Sequence, residues 1–535
     1  MTSPAVLVAG AGPVGLTMAA ELLRHGLSVR LVERSPERDP WSSALIVWQR
    51  TLELLEPLGA ADSIMTHGTP IRRVRLFSDA RELVTLRLAM NDCRFREPVL
   101  IPQDEVEVAL EAALGRQGGR IERGCELIDF MDRGDKIEAM IQRADGSAEH
   151  VAADWLVGCD GVHSLVRQRL GLEFTSRPIT TRWVTGDVLI DGADNDDEAQ
   201  FHWHPLGLLT LIPIRQGRWR VLFDGGSVNA GDRPRDPTLD DLQVAVALRG
   251  LKLQLSDPTR LTAFVARDAK VDRYGAGRIF IAGGAAHTPG PAGGQGVNTG
   301  LQDALNLAWK LAAAHRGGDA ELLLGSYTYE RAAVAAQVLA QTGRIMRVSA
   351  LRSQMLRMIR NTAARLVGSR GSVRRQIARR FSELSIAYAG SPLNLDGRDI
   401  PRDALRPGDR VPESILRRAD GAALPLAELF RDGKPWLFAL TGDGPPLVPP
   451  PVLFGIDLRI AWVGARQPAE RPDGIGLSDP EGFLHRAVCA DDGGTRFLLV
   501  RPDRHVMANV AASRFDELAA LARRVFATVG DAARR

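Results

Sequence analysis

Cysteine is scarce: there are four in 535 residues, at positions 93, 125, 159 and 489, with no C-x-x-C among them. That spacing speaks against a disulfide framework or a zinc site and fits a reducing cytoplasm. No apolar run reaches the length that spans a bilayer. The apolar N-terminus lacks a basic segment and a cleavage site, so it does not read as a signal peptide. Neither sign of charge dominates: the formal net charge is +3 with both signs interspersed, which leaves no footprint for nucleic acid. No internal repeat is present. What remains is the mixed composition of a globular protein, long enough for roughly three domains.

Two glycine-rich stretches stand out. Ala5–Ala9 reads as an apolar strand, followed by Gly10-Ala-Gly12-Pro13-Val-Gly15, an amphipathic helix to about His25, a second apolar strand over Ser28–Val32, and then Glu33 and Arg34. In this order the first glycine makes a turn, the second lets a pyrophosphate approach, and the third lets helix pack on strand. Glu33 stands where an acid accepts from a ribose 2′-OH, which points to an adenosine ribose without a 2′-phosphate and so to FAD or NAD. The second stretch, Arg278–Lys310, begins as a short strand at Ile279–Ala282. It becomes a small-residue loop over Gly283–Asn298 and continues as a helix with apolar residues at Leu301, Ala304, Leu305, Ala308 and Leu311. Little side chain in that loop lets backbone N–H groups approach a ligand, and the helix aims a partly positive end at it. A flat ring that becomes anionic on reduction, such as an isoalloxazine, suits it.

Between them the pattern is α/β and then β-rich. Gln103, before a helix over Glu105–Leu114 with Asp104 as its expected N-cap, either donates to a ligand or lies on the surface. Trp155–Gly161 is a buried strand ending in Asp160-Gly161, where Asp160 either binds ligand or caps the turn, and Val162–Leu170 is helical. Residues 174–267 read as a mostly antiparallel sheet inserted into the nucleotide domain, able to wall a pocket over a cofactor. Its most chemical side chains are His202, Trp203, His204 and Arg220. The two histidines would share a strand face, with no third ligand to make a metal site. Residues 344–380, rich in arginine interleaved with Leu, Met and Ile, read as an amphipathic helix with a solvated basic face, or else as a surface for an anionic partner. Tyr388–Asp409 is a Pro/Gly/Asp linker, Gly442–Pro451 is a Pro-rich loop, and β/α patterning then resumes to the end of the chain.

These motifs resemble the group A single-component FAD aromatic hydroxylases, in particular the subgroup that includes polyketide, rifampicin and phenol hydroxylases. The resemblance rests on Gly10, Gly12, Gly15 and Glu33; on Cys159-Asp160-Gly161 with Ser164 and Arg167; and on Gly293-Gly-Gln-Gly-Val-Asn-Thr-Gly300 with Gln302-Asp303-Ala304 and Asn306-Leu307. It also draws on Gln103, Arg406-Pro-Gly-Asp409 and Arg501-Pro-Asp503. It implies a Rossmann-like FAD-binding domain (1–173 and 268–345), an inserted substrate sheet (174–267) joined by a hairpin within 70–100, a helical connector (346–393) and a thioredoxin-like C-terminal domain (394–535). That last domain has no C-x-x-C and so would be structural.

The resemblance further implies FAD held by Gly10, Gly12, Pro13, Gly15, Glu33, Arg34, Gln103, Asp160, Gly161, Gly283, Gly284, Gly294, Gly296, Val297 and Asn298. NADPH or NADH would be co-substrate and O2 the oxidant, and a flavin C4a-hydroperoxide would hydroxylate a phenolic or polyketide aromatic compound. Pro291, Gly293 and Gly294 would shape the reacting edge of the ring, with His204 or His202 as candidate base. A cytoplasmic enzyme follows, with a homodimer as a candidate assembly and no metal, nucleic acid or membrane span. Baeyer–Villiger or epoxidation chemistry is the neighbouring alternative. Two departures weigh on FAD. Gly284 stands where the family has an Asp that accepts from the flavin ribityl chain, and Ser43 stands where it often has Arg. Losing a bond to a charged acceptor costs about 1.5–3 kcal/mol, roughly tenfold to a hundredfold in affinity, so the rival reading is a degenerate flavin-fold binding protein.

Overall fold

Val6–Ala9 carries no polar side chain and is buried along its whole length, as a strand covered on both faces requires. A computed structural model describes all residues except 1–2, 39–43, 177–180, 194–196, 216, 228–234, 267, 291–292, 402, 442–455, 467–473, 489–493 and 527–535. In it, Val6–Ala9 is the middle of a parallel sheet. Trp155–Gly158 lies on one side and Val29–Glu33 on the other. Ile279–Ile281 and Ile121–Arg123 flank these, and Gly275–Ala276 adds an antiparallel edge. Ala9, Gly158 and Ile281 stand side by side in the ladder, so three chain segments leave the sheet together at its carboxyl end. Helices Pro13–Arg24 and Gly296–His315 pack on each other beside it.

A second sheet has seven strands, in the order Gln254–Ala266, Thr181–Asp191, Arg218–Ser227, Leu209–Pro213, Glu198–Trp203, Arg73–Ser78 and Arg81–Arg87. Every pairing is antiparallel except that of Glu198–Trp203 with Arg73–Ser78, where the earlier hairpin joins. Alternation sorts its side chains. Val184, Val188, Leu211, Val221 and Phe223 pack toward helix Leu239–Ala247, and the opposite face, bearing Trp183, Thr185, Thr210 and Phe201, looks onto the glycine loops. A third, seven-stranded sheet forms the C-terminal part. Trp436–Thr441, Arg459–Gly464 and Ile475–Ser478 run parallel in it, and Arg496–Val500 and Val506–Ala511 run antiparallel.

Two local expectations are corrected. Helix Gln103–Arg116 starts two residues earlier than its pattern suggested, with Pro102 at the N-cap, so Asp104 sits in the first turn and bonds Arg260 instead of capping. The arginine-rich stretch is not one helix. The preceding helix runs on as Ala320–Ser349, then Gln354–Ser369 and Gly371–Phe381 follow, and its outer face is apolar as well as basic.

Buried ion pairs lock the C-terminal part to the rest. Glu53 accepts from Arg410 twice at 3.0 Å and from Arg50 at 3.2 Å. Glu330 accepts from Arg501 at 2.6 and 3.0 Å and from Lys310 at 2.8 Å. Burial alone would raise the Glu53 carboxyl, but the guanidiniums of Arg410, Arg504 and Arg50 outweigh it and hold it at about 2. A carboxylate whose pKa falls on folding stabilises the fold above its unfolded value, near ~4, and loses that contribution as pH drops through the folded value. Glu53→Gln is therefore expected to lose about 3–5 kcal/mol at neutral pH, with the deficit shrinking as pH falls from ~4 toward ~2. Urea unfolding across that range checks it, and a deficit independent of pH contradicts it.

Candidate active site

The first segment leaving the sheet turns at Gly10, whose φ is +98°. A Cβ there would lie 2.5 Å from the Cys159 carbonyl oxygen, and one on Gly15 would lie 1.8 Å from that of Gly10. Only glycine permits these approaches. Helix Pro13–Arg24 begins with Gly12 at the N-cap, Pro13 in the first turn and no side-chain cap, which leaves its first N–H groups facing the crevice. Glu33 accepts from the Ala11 N–H at 2.7 Å and the Ser35 N–H at 2.9 Å, tying this loop to the second strand. Arg34 lies exposed beyond it.

The second segment is Asp160-Gly161. One carboxylate oxygen of Asp160 accepts from the Val166 N–H at 3.2 Å, and the other is buried with no hydrogen-bond partner among the described residues. Asp160 thus caps the turn with half its carboxylate and keeps the other half for something else. Ser164 caps the short helix Leu165–Arg169 by accepting from Arg167 N–H. The Arg167 guanidinium donates to the Val162 and Ala285 carbonyls and stacks over Phe174 at 3.9 Å, which bridges the second segment to the third.

That third segment makes a 3-10 turn, Gly283–Ala285. Asp303, from the middle of helix Gly296–His315, accepts from the Gly283 N–H at 3.1 Å, from His287 at 2.7 Å and from Arg331 at 2.6 Å. Burial opposes its charge, but Arg331 and His287 outweigh that and hold its pKa low, so it stays ionised. A Cβ on Gly284 would come no nearer than 3.4 Å, to the Gly161 Cα. The three segments therefore make a crevice lined by glycine backbone.

Beyond it, Gly293 and Gly294 take φ of +108° and +62°. The Trp48 indole donates to the Gly293 carbonyl at 3.2 Å. Asn298 accepts from the Trp48 N–H at 2.9 Å and donates to the Ile46 and Gly294 carbonyls at 2.6 and 2.8 Å. Gln295 stands at the N-cap of helix Gly296–His315 without capping it, and its buried amide oxygen has no partner among the described residues.

Cavities lie on both sides of this loop. One, of about 940 Å³, runs between the second sheet and the glycine segments, past Gln103, Arg167, Thr185, Thr210 and Arg220. The other, of about 680 Å³, is apolar, walled by Trp48, Leu76, Val84, Trp203, Ile345 and Phe381. Ile46, Phe201 and Gly293 line both. A hollow of about 890 Å³ around Trp155, Arg278 and His315 lies at the opposite end of the parallel strands, away from where open α/β sheets bind ligands.

Several expected residues meet here, namely Gln103, Gly293, Gly294, Gly296 and Val297. Gln103 lines the cavity while donating to Glu107 at 3.0 Å. Arg220 is there too, neutralised by Asp187 at 2.7 and 2.9 Å. The histidines are not. His202 points to the other side of its strand, stacked on Phe77 at 4.7 Å, and burial holds it at about 4. His204 lies past the strand end, accepting from the Leu206 N–H at 3.3 Å, and lines neither cavity. The two do not share a strand face, because only His202 is in the strand. Pro291 and Ser43 lie outside the described residues. Trp48 and Phe381 were missed, and nothing local marks them. Asp303 was matched only as part of the Gln302-Asp303-Ala304 motif, and its hold on the Gly283 turn was not read. Removing the clasp by Asn298→Ala should cost about 1–3 kcal/mol in denaturant unfolding, and a loss below ~0.5 kcal/mol would mean that the clasp is dispensable.

Residues 3–342 match the family described as the FAD binding domain. The chain is 34% identical to 6-methylpretetramide 4-monooxygenase of Streptomyces rimosus over 517 residues, 94% of this chain and 90% of that protein. It is 31% identical to rifampicin monooxygenase of Streptomyces venezuelae over 410 residues, 75% and 83% of the two. Its fold is similar to that of aklavinone-11 hydroxylase, solved as a ternary complex with FAD and aklavinone, with a TM-score of 0.77, 28% identity and coverage of 98% and 99%. A glycine-lined crevice at the carboxyl ends of three parallel strands, together with these matches along nearly the whole chain, makes it a member of the FAD-dependent monooxygenase family of aromatic and polyketide hydroxylases.

Proposed function

We propose that the chain uses NAD(P)H and O2 to hydroxylate a phenolic or polyketide-type aromatic compound on bound FAD. The observation that carries this reading is the Gly293–Val297 loop, which lines a cavity of about 940 Å³ together with Gln103, Arg167 and Arg220 and meets an apolar cavity of about 680 Å³ at Gly293. In this reading the adenosine end of FAD lies on Gly10, Gly12, Pro13 and Gly15, with Glu33 toward the ribose and Arg34 nearby. Asp160, Gly161, Gly283 and Gly284 border the middle of the cofactor. Gln103, Gly294, Gly296, Val297 and Asn298 border its ring, with Pro291 and Gly293 at the reacting edge. The crevice fits the group: it has main-chain N–H groups for a pyrophosphate, and buried oxygens of Asp160 and Gln295 that lack a donor among the described residues.

Bound FAD supplies the electron transfer from NAD(P)H and the activation of O2. The chain's own part is electrostatic and steric. The uncapped start of helix Gly296–His315 favours negative charge beside the loop. Trp48, Ile46 and Phe381 keep water from the apolar side. Among the described residues that chamber is lined by no carboxylate or imidazole, and its charged groups are Arg344 and Arg380, so a phenol entering it is favoured as its phenolate. The C-terminal part, 394–535, reads as a thioredoxin-like unit in a structural role, supported by its mixed sheet and lack of C-x-x-C.

Gly284 has ordinary backbone angles and room for a side chain, so Gly284→Asp should tighten FAD about tenfold or more. Flavin fluorescence titration measures it, and an unchanged dissociation constant contradicts the assignment of Gly284 to the cofactor. A screen of multi-ring phenols should find one that speeds NADPH oxidation and leaves a product one oxygen heavier. Flavin that NAD(P)H does not reduce anaerobically, with or without such phenols, would overturn the reading.

A further inference from the structure

Residues 344–380 contain eleven arginines and no acidic residue, in a chain whose net charge is +3. The inner face of helix Gln354–Ser369 is anchored. Arg357 pairs with Asp79 at 2.7 Å, and the buried Arg360 donates to the Val348 carbonyl and the Ser78 hydroxyl. Gly368 lies so close to the sheet that a Cβ there would meet Val84 at 2.4 Å. The outer face is the reverse. Met355 is 67% exposed, Met358 65%, Ile359 57% and Leu366 65%, at positions i, i+3, i+4 and i+11, which form one stripe. Arg352, Arg365, Arg370 and Arg375 are exposed with no acidic partner among the described residues. The result is a convex apolar ridge in a cationic surround.

We infer that this ridge seats the protein on an anionic lipid surface, with helix Gln354–Ser369 lying in the plane of the interface. A second copy is a poor occupant, since it would set the same arginine cluster against itself. A protein partner is disfavoured because the segment has no Trp, Tyr or Phe to act as an anchor. Flexible apolar side chains on a convex helix, flanked by cations, are what interfacial helices use: apolar insertion and attraction to anionic headgroups add. The inner residues Ala364 and Gly368 wall the apolar cavity. Docking therefore sets that cavity next to the phase in which an apolar aromatic compound dissolves.

The test is co-sedimentation of the full chain with vesicles of mixed phosphatidylcholine and phosphatidylglycerol, against vesicles of phosphatidylcholine alone. Binding should be at least about tenfold tighter to the anionic vesicles and should weaken as salt rises. It should fall about tenfold in Met358→Gln/Ile359→Gln/Leu366→Gln, and again in Arg352→Glu/Arg365→Glu/Arg370→Glu, with circular dichroism unchanged in both. No binding to either vesicle overturns the inference. So does binding that both variants retain, or a concentration-dependent dimer that the first variant abolishes, which would assign the ridge to a second copy.

Discussion

Everything near the glycine loops is hung on one helix that is buried almost end to end. Gly296–His315 is buried from Asn298 to Ala314, yet it carries Asn298, Gln302, Asp303, Asn306 and Lys310. Buried polar groups persist only when they are bonded, and here the bonds reach several distant parts of the chain. Asn298 grips the strand Ala44–Val47 and the Gly293–Gly294 turn. Asp303 grips the Gly283 turn. Asn306 and Lys310 reach Glu330, and through it Arg501 of the C-terminal part. The two glycine turns are thus held at a fixed distance by polar groups that cannot let go without leaving a buried amide unbonded at Asn298 or a charge exposed to the core at Asp303.

That rigidity lets bare backbone line the crevice. Glycine gives close approach at the cost of chain entropy, and the cost is tolerable where the flanking elements are already pinned. Around Gly10, Gly15 and Gly283 the chain segments approach so closely that any side chain would collide with carbonyl oxygens or Val14. Gly284 differs, because no neighbour forbids a side chain there. Packing does not demand its glycine.

Local order was legible in the sequence wherever the signal was itself local. The strand, turn and helix around Gly10 follow from periodicity and glycine spacing, as does the helix after Gly296, and Asp160-Gly161 falls at the strand end where it was read. Partnerships across hundreds of residues were not legible. Arg501-Pro-Asp503 could be matched as a motif, but its role as the partner of Glu330, 171 residues away, has no sequence correlate. The arginine-rich stretch misled for the same reason. Which side of an amphipathic helix is buried depends on what lies beneath it, and Gly368 against Val84 put the smaller residues inward and the methionines outward. His204 looked chemical because of its type, and strand termination at Trp203 removed it from the cavity.

The central claim is geometric: one extended dinucleotide lies across the three strand ends and brings its tricyclic ring to Gly293–Val297, between the two cavities. A crystal structure of the chain soaked with FAD tests this most directly. The account predicts continuous density from Glu33, past Asp160, to a ring packed against Gly294 and Val297. Density for the ring elsewhere, with those glycines covered by the chain's own side chains, would contradict it.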